Sequence, residues 1–170
     1  MKLILIGPPG AGKSTVGKLL AKELGLSFMD TDSEIEKTSG RAIREIFLED
    51  GESGFREIEK SVVLAALADG DGVVALGGGA ILDVEVFEVL KREPSVIYLQ
   101  VSISNAAPRV GFNAERPLLL ANPRQQWLKL FESRRDKYEE LAKLTVSTDN
   151  RKPKEVVGEI VSKLSLRSSQ

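Results

Sequence analysis

Residues Gly7 to Ser14 read Gly-Pro-Pro-Gly-Ala-Gly-Lys-Ser, a full match to the pattern G-x-x-x-x-G-K-[ST]. The chemistry of that pattern is phosphate binding. Its glycines let consecutive backbone N–H groups turn toward phosphate oxygens, and a helix opening at the loop adds a dipole that favours anions. The Lys13 ammonium suits β- and γ-phosphates, and the Ser14 hydroxyl suits Mg²⁺. The nucleotide-binding set expected here is Gly10, Ala11, Gly12, Lys13, Ser14 and Thr15.

Three further groups carry chemical potential. Asp30-Thr31-Asp32 holds a pair of carboxylates that point the same way if the segment is extended. One can face Mg²⁺ through water, and the other can orient a hydroxyl or take its proton. A helix cap at Thr31 or Asp32 is the alternative use of these residues, and the two uses are compatible. Gly77-Gly78-Gly79 removes Cβ from a whole turn, which either admits a ligand to backbone N–H donors or makes a flexible bend. Arg56, Arg109, Arg116 and Arg134 offer planar guanidinium groups suited to carboxylate and phosphate, although any one of them serves equally as a solvated surface charge.

The elements around these groups follow from hydrophobic period. Leu3 to Ile6 is an apolar run suited to a buried parallel strand, and Thr15 to Leu24 repeats apolar residues on one helical face. Further strands are expected at Ser27–Asp30, Val73–Leu76, Val96–Leu99 and Leu144–Val146. Helices are expected at Ser33–Lys37, Ile43–Leu48, Phe55–Leu67, Val84–Leu90 and Arg124–Leu141, with a closing helix after Pro153. Gly111 to Arg116 has no apolar period and reads as a loop. Strands alternating with helices imply an α/β fold with a parallel sheet covered on both faces. Ligands of such sheets bind at the carboxyl ends of the strands, where the Gly-rich loop, Asp30 and the triple glycine all fall.

Bulk composition narrows the classes. The 170 residues fit a single domain, 1–170, and 42% hydrophobic with 29% charged residues is ordinary for a globular chain. A net charge of −1 gives no general attraction to nucleic acid or to an acidic membrane. With neither Cys nor His, thiolate and imidazole chemistry are excluded, so a general base has to be a carboxylate, Lys, Tyr or water. No apolar run reaches membrane-spanning length, and Met1 leads straight into the first strand; a cytoplasmic monomer is the expectation.

The ordered set of Gly-rich loop, Asp30-Thr31-Asp32, Gly51-Glu52-Ser53-Gly54-Phe55-Arg56, Leu76-Gly77-Gly78-Gly79-Ala80 and Arg116-Pro117-Leu118-Leu119 resembles the shikimate kinases, from about Lys2 to Leu164. The resemblance implies a three-layer P-loop kinase fold with five parallel strands in the order 2-3-1-4-5 and a lid at about 109–123. It implies Mg²⁺- and ATP-dependent phosphorylation of the 3-hydroxyl of shikimate, on the way to chorismate and the aromatic amino acids. Carried over by position, Ser14 and Asp30 serve the metal, Asp32 is base or acceptor, and Lys13 and Arg116 stabilise the transferred phosphoryl. Arg56 and Arg134 clamp the carboxylate, Gly77, Gly78 and Gly79 line the acceptor, and Arg109 and Arg151 border the nucleotide. Two features depart from the family pattern. The usual R-x-P-x-Y is Arg134-Arg135-Asp136-Lys137-Tyr138 here, with the proline missing and a second arginine beside the clamp, and the lid carries Phe112 and Glu115. Alternative readings are a gluconate-type kinase and a non-catalytic ATP-binding module; a GTPase lacks support because no N-K-x-D motif occurs.

Overall fold

The computed structural model describes residues 1–110 and 123–168. Among them are the strands β1 (Lys2–Ile6), β2 (Phe28–Asp30), β3 (Gly72–Ala75), β4 (Val96–Gln100) and β5 (Leu144–Ser147). The helices are α1 (Lys13–Leu24), α2 (Thr31–Ser39), α3 (Ile43–Ala68), α4 (Val84–Arg92), α5 (Ile103–Val110), α6 (Pro123–Leu141) and α7 (Pro153–Ser168). The strands form one sheet in the order β2-β3-β1-β4-β5, with every pair parallel, as the resemblance implied.

The central strands β1, β3 and β4 read as nearly unbroken apolar runs because both faces are covered. Alternation along β1 divides the core. Leu3 and Leu5 point into a cluster with Val16 and Leu20 of α1 and Val156 and Ile160 of α7. Ile4 and Ile6 point into an opposite cluster with Val63 of α3, Leu90 of α4 and Tyr138 of α6. A small third cluster, Ile35, Ile43, Ile46 and Phe55, joins α2 to α3 and includes Phe47 stacked on Phe55 at 4.6 Å.

Three local differences from the expected elements have physical causes. The helices expected at Ile43–Leu48 and Phe55–Leu67 are continuous in α3 except for a kink at Gly51 (φ 75°, ψ 179°), a conformation essentially restricted to glycine. Arg41 braces the approach to the kink, donating to Glu49 at 2.9 Å and Asp50 at 2.8 Å, and its hydrogen bond holds the Asp50 carboxyl below the usual range. The cap of α2 is Asp30, not Thr31 or Asp32: Asp30 is the last extended residue and its Oδ1 accepts from the N–H groups of Asp32 and Ser33. Asp30 and Asp32 therefore flank a strand-to-helix turn and do not lie on an extended segment. Finally, α5 has no counterpart in the local pattern. Its start is anchored from a distance, by the Asp149 carboxylate accepting from the Ser102 N–H at 2.9 Å and from Asn105 Nδ2 at 3.1 Å.

Candidate active site

The carboxyl ends of β1, β2 and β3 open onto a cleft of about 500 Å³. Gly10, Gly12, Lys13, Ser14 and Thr15 line it from the first loop, Asp30 and Asp32 from the second, and Gly77 and Gly78 from the third, with Arg109 at the edge. The phosphate loop, the carboxylate pair and the first two glycines of the triple therefore converge on one space, and of the four arginines Arg109 lines it. Ala11 differs from its neighbours: it is buried and its N–H turns back to the Pro8 carbonyl at 3.2 Å.

The loop before α1 is built to receive an anion. Gly10 and Gly12 sit at φ 85° and 86°, which strains any residue with a Cβ. Gly12 caps α1 without a side-chain hydrogen bond, and the first turn of α1 holds no acidic residue. The N–H groups at this helix end are left to a ligand. Lys13 curls over the loop, its Nζ donating to the carbonyls of Gly7 at 2.7 Å and Pro8 at 3.0 Å. Arg109 crosses from α5 and donates to the Gly10 carbonyl at 2.7 Å.

Asp30 divides its work between two oxygens. Oδ1 caps α2, while Oδ2 accepts from the Ser14 hydroxyl. The cap fixes the carboxylate, so a serine hydroxyl and a carboxylate oxygen stand together at the mouth of the phosphate loop. These hard oxygen donors fit Mg²⁺, which takes few protein ligands and completes its shell with phosphate and water. Among the described residues no cluster of three acidic side chains offers a metal site of another kind.

The triple glycine makes room for arginines. A Cβ on Gly79 would lie 2.5 and 2.6 Å from the terminal nitrogens of Arg56, and one on Gly78 would lie 3.4 Å from Nη1 of Arg134. Arg56 comes from α3 and lines a second pocket of about 600 Å³ together with Gly79. Glu59, one turn along α3 and 3% exposed, accepts from Arg56 Nη1 at 2.7 Å and sets the guanidinium plane. Arg134 is 3% exposed on α6, whereas Arg135 is exposed and pairs with Glu132 at 3.5 Å. The geometry turns Arg134 and not Arg135 toward the glycine turn. Asp136, which takes the place of the family proline, is exposed, and α6 passes through it unbroken.

Two expected residues stand elsewhere. Arg151 is not in the cleft lining; it donates to the Ser147 carbonyl at 3.1 Å and pairs with Glu159 at 3.4 Å, at the end of β5. Arg116, Phe112 and Glu115 lie outside the described residues, as does most of the expected lid.

Comparison with known proteins gives the fold a lineage. The family model described as shikimate kinase matches residues 9–165. The shikimate kinase of Streptomyces coelicolor is 48% identical over 98% of this chain and 97% of its own length. The chain belongs to the shikimate kinase family. The relative from Rhodococcus erythropolis is 51% identical over 96% of both chains. The solved structure of the shikimate kinase of Acinetobacter baumannii in complex with shikimate superposes with a TM-score of 0.96 at 35% identity, covering 99% of this chain and 95% of that one.

Some contacts of this kinase site are not reported by the motifs themselves. Thr31 is fully buried and its Oγ1 accepts from the Gly77 N–H at 3.1 Å, tying the Asp-Thr-Asp turn to the glycine turn. Glu59 shows as an i, i+3 partner of Arg56 once α3 is drawn, a signal available from the sequence. Trp127 donates to the Pro9 carbonyl at 2.7 Å, a contact across the chain that no local pattern reports.

Proposed function

We propose that this chain transfers the γ-phosphoryl group of ATP to the 3-hydroxyl of shikimate, releasing ADP and shikimate 3-phosphate. The observation that carries this reading is membership of the shikimate kinase family along almost the whole chain. The convergence of a phosphate loop, a carboxylate pair, Gly77 and Gly78 on one cleft, with Gly79 and Arg56 lining a second pocket, supports it.

In the reaction the oxygen of the acceptor hydroxyl forms a bond to the γ-phosphorus, the bond from that phosphorus to the β–γ bridging oxygen breaks, and ADP leaves. Such transfers depend on alignment and charge neutralisation more than on a strong base. Asp32, on the first turn of α2, takes or orients the hydroxyl proton. Arg56 and Arg134 hold the acceptor carboxylate and so direct the hydroxyl, and the backbone of Gly77, Gly78 and Gly79 meets the acceptor's other polar groups. Gly10, Ala11, Gly12, Lys13, Ser14 and Thr15 hold the nucleotide phosphates, bordered by Arg109 and, at a distance, Arg151. Ser14 and Asp30 would hold Mg²⁺, which when bound neutralises phosphate charge. Arg116 takes its role, charge stabilisation from a lid at about 109–123, from its sequence motif alone. Lid closure excludes water from the transfer.

The proposal extends to a single domain, 1–170, acting as a cytoplasmic monomer on these small molecules without nucleic acid or membrane. No helix among the described residues is long and apolar enough to cross a membrane.

Phosphorus NMR of a reaction containing Mg-ATP and shikimate tests the assignment. A phosphomonoester coupled to the ring proton at carbon 3 is expected. A phosphoryl group on another hydroxyl, or none on shikimate, would contradict it.

A further inference from the structure

Helix α6 reaches both substrate loops from a single face. Near its start, Trp127 is 1% exposed and donates its indole N–H to the Pro9 carbonyl at 2.7 Å. About three turns and 16 Å further along the axis, buried Tyr138 donates its hydroxyl to the Gly78 carbonyl. Phe131, stacked on Trp127 at 5.0 Å, and Arg134 occupy the same stripe between them. The helix also crosses from one core to the other: Trp127 packs with α1 and α7, and Tyr138 packs with α3 and α4. The two loops touch, since a Cβ on Gly78 would lie 3.0 Å from Pro9 Cδ.

Each contact fixes more than an oxygen. A peptide unit is planar, so pinning the carbonyl of one residue also aims the N–H of the next. Trp127 therefore sets the direction of the Gly10 N–H in the phosphate loop. Tyr138 sets that of the Gly79 N–H in the glycine turn. Both turns are rich in glycine and have few side chains of their own to hold a peptide plane.

We propose that Trp127 and Tyr138 are positioning residues and that α6 is a strut, holding the phosphate loop and the acceptor loop at a set separation and aiming one peptide plane in each. The inference rests on reading the two loops as nucleotide and acceptor sites.

Trp127→Phe and Tyr138→Phe in the full chain test it, since each keeps a ring and removes one donor. Trp127→Phe is expected to weaken MgADP binding, measured by calorimetry, and to raise the KM for ATP by about 3- to 10-fold, the worth of one net hydrogen bond. Tyr138→Phe is expected to raise the KM for shikimate by a similar factor and to leave the ADP affinity within about two-fold. Both should lower kcat. Thermal midpoints measured alongside separate this from simple packing. Lower midpoints with both KM values unmoved would overturn the strut, as would two variants that weaken both substrates equally. Trp127, the chain's one tryptophan, gives a further reading in the unaltered protein: MgADP should change its emission, and an unchanged spectrum on saturation overturns the nucleotide half. If the unaltered chain does not phosphorylate shikimate, the acceptor reading fails by itself. The strut is then decided by ADP calorimetry, which must weaken in Trp127→Phe and hold in Tyr138→Phe.

Discussion

Asp32 and Gly79 illustrate two ways in which one residue controls the site. Asp32 lines the cleft from the first turn of α2, held there because Asp30 caps that helix. Replacing it with Asn keeps shape and hydrogen bonding but removes the basic oxygen. We expect Asp32→Asn to lower kcat by about 10²-fold or more, with the KM for ATP little changed. Near-normal turnover would remove Asp32 from the proton-accepting role. Gly79 acts by what it lacks. A methyl group there would meet the Arg56 guanidinium within 2.6 Å, and Glu59 holds that guanidinium in place through Nη1. Gly79→Ala should therefore raise the KM for the carboxylate acceptor by about 10-fold or more, the loss of a charge-assisted contact, while the KM for ATP stays near its original value. Steady-state kinetics with each substrate varied in turn reads both numbers, and an unchanged acceptor KM would place the clamp elsewhere.

Helices and strands show how far local pattern reaches. The phosphate loop was legible because motif, preceding strand and following helix all agree within residues 2–24, and glycine has few other reasons to recur there. The parallel sheet was legible because strands buried on both faces read as unbroken apolar runs. Element boundaries set by distant partners were not. The start of α5 depends on Asp149, and the cap of α2 depends on which residue leaves the strand. The single long α3 hid behind Gly51, whose sequence signal is a break although the chain continues in the same helix. The site was legible where a motif or a helical spacing names it, as i, i+3 spacing names Glu59, and silent where tertiary contact does: the Thr31 bond to Gly77 and the Trp127 bond to Pro9 are made through the fold. A direct check concerns the kink. No atom lies within 4 Å of a Cβ placed on Gly51, so Gly51→Ala is strained by its backbone angles alone. Urea unfolding should show a loss of about 1–3 kcal/mol. Unaltered stability would mean that α3 tolerates a straight path at this point.

The whole molecule is a sheet with a core on each face, and its stability against pH reports one of those cores. Tyr98 on β4 is buried against Tyr138, with ring centroids 5.3 Å apart, and burial pushes its hydroxyl up to about 12. A folded value above the unfolded one leaves stability intact below the unfolded value of about 10. Stability then falls as the pH rises from there through the folded value. Tyr98→Phe removes that titration, so its stability should decline less steeply over this alkaline window, read from urea midpoints at stepped pH. A parallel decline in both proteins would assign the loss to other groups.

The same architecture gathers the phosphate loop, the carboxylates and the glycine turn at the carboxyl ends of the strands, and the choice of acceptor is the point on which the proposed function turns. ADP release from Mg-ATP, followed with a coupled enzyme assay, should be compared with shikimate, gluconate, a nucleoside monophosphate and no acceptor. Rapid ADP release with shikimate alone is the expected result. Release that is equal without any acceptor, or that is faster with gluconate or a nucleotide, would contradict it.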